Sequence, residues 1–115
     1  TAEAGRWALE IQSRPVIMIC GGKDKNIDFS GLRSLVRRKV KKLIVIGEAR
    51  EKLKGTFKDV VDVEEAGSLE KAVERAREAA RLGDCVLLSP MCASFDMFKD
   101  FEHRGKTFKE IVGRL

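Results

Sequence analysis

Two stretches of this 115-residue chain carry side chains able to hold an anion. The first, Gly21-Gly22-Lys23-Asp24-Lys25-Asn26-Ile27-Asp28, directly follows an apolar run. Its glycines allow positive φ and close backbone approach, and Lys23 and Lys25 supply cations. The second runs from Ser89 to Gly105. It leaves another apolar run at Ser89-Pro90 and holds Ser94 and half of the chain's six phenylalanines, Phe95, Phe98 and Phe101. Pro90 has no N–H to donate and biases Ser89 towards extended geometry. Backbone N–H groups after it, with the Ser94 hydroxyl, are neutral anion donors. The sum describes a pocket for a small carboxylate or phosphate. The bland readings are a tight strand-to-helix turn at the glycines and a loop whose phenylalanines plug the edge of a core.

Other chemistries find less support. Cys92 and His103 would form a thiol–imidazole pair with no third group to orient the imidazole. Asp96, Asp100 and Glu102 follow no metal-ligand spacing, and the single His excludes a multi-histidine centre. Neither G-x-x-x-x-G-K-[ST] nor G-x-G-x-x-G occurs. Cys20, Cys85 and Cys92 are an odd set without C-x-x-C, two of them in apolar runs, as expected of reduced thiols in a cytoplasmic protein. The net charge of +5 suits an anionic ligand. Its densest cluster, Arg37-Arg38-Lys39-Val40-Lys41-Lys42, reads as a solvated helix end, since no aromatic residue interleaves with it. No apolar run reaches the roughly 18 residues of a membrane span, and no secretion signal opens the chain. Neither nucleic acid nor membrane is an expected partner, and a monomer is expected. Asn26 is the only Asn and Gln12 the only Gln, a thermophile-like bias.

The elements that must position these stretches alternate between strand and helix. Residues 1–12 read as a helix with Ala4, Trp7, Ala8 and Leu9 on an apolar side. Val16–Cys20 and Leu43–Ile46 are continuous apolar runs, as in strands buried on both faces. Val60–Val63 reads as a third, shorter strand and Cys85–Leu88 as the fourth. Ser30 is placed to cap a helix from Gly31 to about Arg38 carrying Leu32, Leu35 and Val36. A helix from Glu48 to Lys54 is closed by Gly55. Ser68 caps the longest helix, Leu69 to Leu82, with Gly83 at the C-cap position. Phe108, Ile111, Val112 and Leu115 mark a last helix from about Glu102. This is the pattern of an α/β Rossmann-like, three-layer α/β/α domain with a mainly parallel sheet. Right-handed crossovers predict strand order 3-2-1-4. Strands 1 and 4 then meet where the winding reverses, and ligands of open α/β sheets bind outside the carboxyl ends of the strands at that point. Both irregular stretches leave the sheet there.

With this frame in place, Val16 to Phe29 (VIMICGGKDKNIDF) and Leu87 to Gly105 (LLSPMCASFDMFKDFEHRG) together resemble the carboxy-terminal domain of the Mur ligases, nearest the members that add D-glutamate. The family pattern has an apolar strand leading to G-G-x-x-K-x-x-D-F and a later strand leading to L-S-P-A-C-A-S-x-D-x-F-x-x-F-x-x-R-G. Residues 85–105 match it nearly throughout, with Met91 in place of the usual Ala, and the resemblance covers essentially the whole chain. It implies one domain, residues 1–115, of a longer three-domain enzyme. That enzyme forms an amide bond between UDP-N-acetylmuramoyl-L-alanine and D-glutamate in peptidoglycan synthesis, using ATP and Mg2+ held mainly by the other domains. The carboxy-terminal domain would hold D-glutamate and close over the ATP domain. By match to the family motifs, Lys25 would contact one D-glutamate carboxylate, Ser94 the other end through its hydroxyl, and Phe101 would offer its backbone N–H.

The family's Asp-Ser-Lys-x-Thr motif, which precedes this domain's first helix, is absent. Thr1 stands just after its expected place, and the chain has no initiator Met, so a fragment of a longer protein is expected. The fragment alone is expected to be inactive, with no catalytic residue, metal or cofactor site of its own. The alternative is a noncatalytic α/β module that binds a small anion or a protein partner. A nucleic-acid-binding module rests on charge alone.

Overall fold

The computed structural model describes residues 2–22 and 26–88. Its centre is a four-stranded parallel sheet: β1 (Val16–Gly21), β2 (Val40–Ile46), β3 (Asp62–Glu65) and β4 (Cys85–Leu88), in order β3-β2-β1-β4. Every residue of β1 is buried, because helices cover both faces of the sheet. Val16, Met18 and Cys20 face a core that includes Leu9 of α1 (Ala2–Glu10), Leu35 and Val36 of α2 (Arg33–Lys39), and Leu53 and Phe57 of α3 (Arg50–Phe57). Ile17 and Ile19 alternate to the other face, where Leu69, Ala72, Val73 and Ala76 of α4 (Leu69–Ala79) pack on them. Each buried Ile, Leu or Phe contributes roughly 1.5–3 kcal/mol through removal from water. The strand order is the predicted one. β1, β2 and β3 advance in one direction, and α4 returns the chain to the free edge of β1.

Several local readings are corrected. Ser30 does not cap a helix with its side chain. It opens a single 3-10 turn, Ser30–Leu32, and its amide donates to Asp28 Oδ1 at 2.9 Å, so the acceptor is the earlier carboxylate. The basic cluster is not a helix end alone: Val40, Lys41 and Lys42 already belong to β2. Gly55 lies inside α3, which runs on to Phe57 because that side chain is fully buried. β3 is shifted two residues later, onto Asp62–Glu65, and is half-buried. α4 ends at Ala79, three residues early; Gly83 instead takes φ 95° in the following turn, where the Asp84 amide donates to the Arg81 carbonyl at 2.9 Å. Ser68 does cap α4, accepting from the Lys71 amide at 3.1 Å. Trp7, read as part of an apolar side, is 66% exposed, and Leu9 carries the burial of α1. The predicted helix after Glu102 lies outside the described residues.

Candidate functional site

β1 is the middle of the site's foundation. It pairs with β2 along its whole length, ending at Gly21↔Ile46, and with β4 as far as Ile19↔Leu88. The chain leaves β1 at Gly22 and β4 at Leu88, from neighbouring strands at the same end. Adjacent strands are about 4.8 Å apart, so the two stretches that carry candidate ligands depart side by side. This is the winding-reversal point of the sheet, where α/β proteins bind ligands.

Gly21 is required here for a reason separate from any ligand. Its φ is 148°, and a Cβ built on it would lie 1.9 Å from the carbonyl oxygen of Ile46. Only glycine lets β1 and β2 stay this close. Gly22, at φ 121°, continues the link: its amide donates to the Ile46 carbonyl at 3.2 Å, and its own carbonyl accepts from the Ala49 amide at 2.9 Å. The double glycine therefore staples the start of the loop to the turn between β2 and α3. That turn is shaped in part by Gly47, at φ 78°.

The loop is also tied down where it returns. Asn26 takes φ 59°, a left-handed conformation that Asn tolerates better than most residues. Ile27 packs against the main core, and Phe29 is 2% exposed within it. Lys52 Nζ sits 5.5 Å from the centre of the Phe29 ring, a cation–π contact. Between these apolar anchors, the Asp28 carboxylate accepts the Ser30 amide. That hydrogen bond holds its pKa below the usual carboxylate range. The two ends of the loop are fixed on rigid elements, and three residues, 23–25, span the interval.

Lys25, Ser94 and Phe101 all lie outside the described residues, as do Lys23, Cys92, His103 and the acidic set Asp96, Asp100 and Glu102. The geometry thus fixes where their segments depart. Among the described residues, no group of His, Cys, Asp and Glu is arranged to hold a metal ion. Cys20 is buried in β1, and Cys85 Sγ donates to Gln12 Oε1 at 3.6 Å. No helix of the described residues is long and apolar enough to cross a membrane. The hydrogen bond from Ala49 to Gly22 was not foreseen from sequence. Its only signal was Gly47, directly after the second apolar run.

A family model described as "Mur ligase, glutamate ligase domain" matches residues 2–92. The chain belongs to the Mur ligase family. Among curated proteins it is 53% identical over 97 residues to the UDP-N-acetylmuramoylalanine--D-glutamate ligase of Aquifex aeolicus, covering 84% of this chain and 23% of that protein. It is 52% identical over 110 residues to the ligase of the same name from Pelodictyon phaeoclathratiforme, covering 96% and 24%. With the Chlorobaculum tepidum ligase of that name the identity is 48% over 115 residues, covering 100% and 25%. The chain thus spans about a quarter of the length of these relatives. The Mur ligase match includes the Gly21-Gly22 staple and the position of Lys25. It stops two residues before Ser94, whereas the similarity to the Chlorobaculum tepidum ligase continues across all 115 residues.

Proposed function

We propose that this chain is the carboxy-terminal, amino-acid-holding domain of an ATP-dependent ligase that joins D-glutamate to UDP-N-acetylmuramoyl-L-alanine. The observation that carries the reading is the 48% identity across the full 115 residues to a relative named for that reaction. The geometry supports it in kind. Two stretches of chain leave neighbouring strands at the reversal point of a parallel sheet, and the first is anchored on the core on both sides of residues 23–25. D-glutamate carries two carboxylates. A site for it calls for at least one cation, Lys25, and neutral donors, the Ser94 hydroxyl and the Phe101 backbone N–H.

In this reading the acceptor's carboxylate first takes the terminal phosphoryl group of ATP, ADP leaves, and an acyl phosphate is formed. The D-glutamate amine, held by this domain, attacks the acyl carbon; the C–N bond forms, phosphate leaves, and the amine gives up a proton. The domain supplies position and charge compensation, with both carboxylates fixed so that the amine faces the acyl carbon. The ATP and Mg2+ that the reaction consumes or requires are read as held mainly by the rest of the ligase. The sequence has no phosphate-binding loop, and the described residues hold no ligand cluster for a metal. The cytoplasm is the expected compartment.

The test is phosphate release by the full-length ligase that contains this chain, given ATP, the UDP-linked acceptor and one amino acid at a time. Release that depends on D-glutamate, with L-glutamate and the L-diamino acids poor, is the expected result. Release with no dependence on D-glutamate would favour an α/β module that binds some other anion or a protein.

A further inference from the structure

The opposite, amino-terminal end of the strands carries a cationic cleft that the D-glutamate reading does not use. It has a volume of about 440 Å3 and is lined by Gln12, Arg14, Pro15, Arg38, Lys39 and Lys41, among others. β1 separates the two ends of the sheet by about 17 Å, given a rise of about 3.3 Å per residue over Val16–Gly21. Within the cleft, Lys41 is neutralised: its Nζ lies 2.5 Å from Asp84 Oδ2, and the Asp84 side chain is only 7% exposed. Lys39 is held but not neutralised, because its Nζ donates to the backbone carbonyl of Gln12 at 2.5 Å. Arg14 and Arg38 are exposed and make no hydrogen bond or ion pair with any described residue. Three uncompensated cations therefore share one concave surface, at the carboxyl end of α2. The helix dipole offsets part of this charge without pairing with any of the three.

We propose that this cleft binds a compact polyanion bearing two or more phosphoryl groups, of the size of pyrophosphate to a nucleoside diphosphate. The volume lies within the range of small-molecule clefts. Guanidinium forks match phosphoryl oxygens in bidentate geometry. A single carboxylate would leave two of the three cations uncompensated. The surroundings favour a small ligand over a long one. On the β3 side Lys42 is engaged by Asp62 and Glu64, at 3.2 and 3.0 Å, and on the β4 side stands Asp84. An extended nucleic-acid backbone following this end of the sheet would run on to lysines already paired with carboxylates in both directions, whereas a compact ligand would stay among the uncompensated cations.

The site is tested on the 115-residue chain by following backbone amide shifts while pyrophosphate, ADP or orthophosphate is added. The expected result is saturable binding of pyrophosphate and ADP at about millimolar or lower concentration, with shifts centred on residues 12–15 and 38–41. Orthophosphate should bind more weakly. The Arg14→Gln/Arg38→Gln double variant should weaken pyrophosphate binding by roughly tenfold or more. Lys58→Gln/Arg77→Gln, which removes the same charge from exposed positions elsewhere, should leave it nearly unchanged. Folding of both variants is verified by the unaltered shifts of β1 and β2. Shifts spread over all basic surfaces, equal losses in the two double variants, or no saturation would overturn the proposal. So would tighter binding of a polyglutamate peptide than of pyrophosphate in the same cleft, which would make the surface a protein-docking site. Loss of D-glutamate binding at the other end would not bear on it, and the two readings fail separately.

Discussion

Replacing Gly21 by alanine adds one methyl group at the most constrained backbone position described. The new Cβ would stand 1.9 Å from the Ile46 carbonyl oxygen and 2.8 Å from its carbon, whereas real Cβ atoms stay beyond 3.0 Å. The opposing atoms are backbone, so no side chain can swing aside; β1 and β2 must part by more than an ångström. The φ of 148° adds backbone strain for any residue with a Cβ. Overpacking costs about 1–3 kcal/mol and a glycine-only conformation a further 1–3 kcal/mol or so. Together they predict a loss of about 2–6 kcal/mol, against a total stability of order 5–15 kcal/mol for a domain. Urea unfolding of the chain measures it as a drop in midpoint with little change in slope. Gly55→Ala is the matched control: nothing lies within 4 Å of the added Cβ, and the site is helical. It should stabilise the chain by about 0.5–1 kcal/mol. A loss below about 1 kcal/mol for Gly21→Ala would refute the close-approach account and return the double glycine to a ligand role alone.

Three further outcomes are expected. Ser68→Ala removes the hydroxyl that accepts the Lys71 amide, and should lower stability by about 1 kcal/mol; no change in the urea midpoint would contradict the cap. Asp59 accepts two hydrogen bonds from Arg33, which hold its pKa down at about 2 against an ordinary value of 3.8. Because the folded value is the depressed one, this pair's contribution is complete above pH 3.8 and is lost as pH falls towards 2. The stability advantage of the parent over Asp59→Asn should therefore shrink across that interval, and a difference that stays flat would remove the pair from the acid response. The 115-residue chain alone should release no phosphate from ATP in the presence of D-glutamate and the UDP-linked acceptor, since it has no phosphate-binding loop; release above background in a coupled phosphate assay would count against this.

The parts of the fold legible in sequence were those set by burial. Val16–Cys20, Leu43–Ile46 and Cys85–Leu88 are continuous apolar runs, and they form the three strands that adjoin at the centre and at one edge. β3 was misplaced because an outer strand can be held by charge instead. Asp62 and Glu64 engage Lys42, Glu64 also meets Arg75, and Glu65 lies near Arg50 and Lys54. An apolar pattern does not register such pairs. Ser30 was misread because the amides its hydroxyl would cap, those of Leu32 and Arg33, donate instead to the Phe29 and Ser30 carbonyls of the 3-10 turn, and Gly55 because Phe57 secures the helix beyond it. The reversal point of the sheet was legible, since strand order follows from crossover handedness; the residues assigned to the site lie outside the described ones. The staple between Gly22 and Ala49 was not, because it joins two loops through backbone atoms that any sequence supplies.

Steady-state kinetics of Lys25→Ala in the full-length ligase test the central claim most directly. Once closure excludes water, a D-glutamate carboxylate beside the anchored loop needs a compensating cation. Losing one charge-assisted hydrogen bond costs about 1.5–3 kcal/mol, a roughly ten- to hundredfold rise in the KM for D-glutamate. The KM for ATP, which sits mainly on other domains, should change far less, and Lys23→Ala, two residues earlier, should be nearly silent. An unchanged KM for D-glutamate in Lys25→Ala, or a larger effect from Lys23→Ala, would contradict the assignment of this end of the sheet as the D-glutamate site.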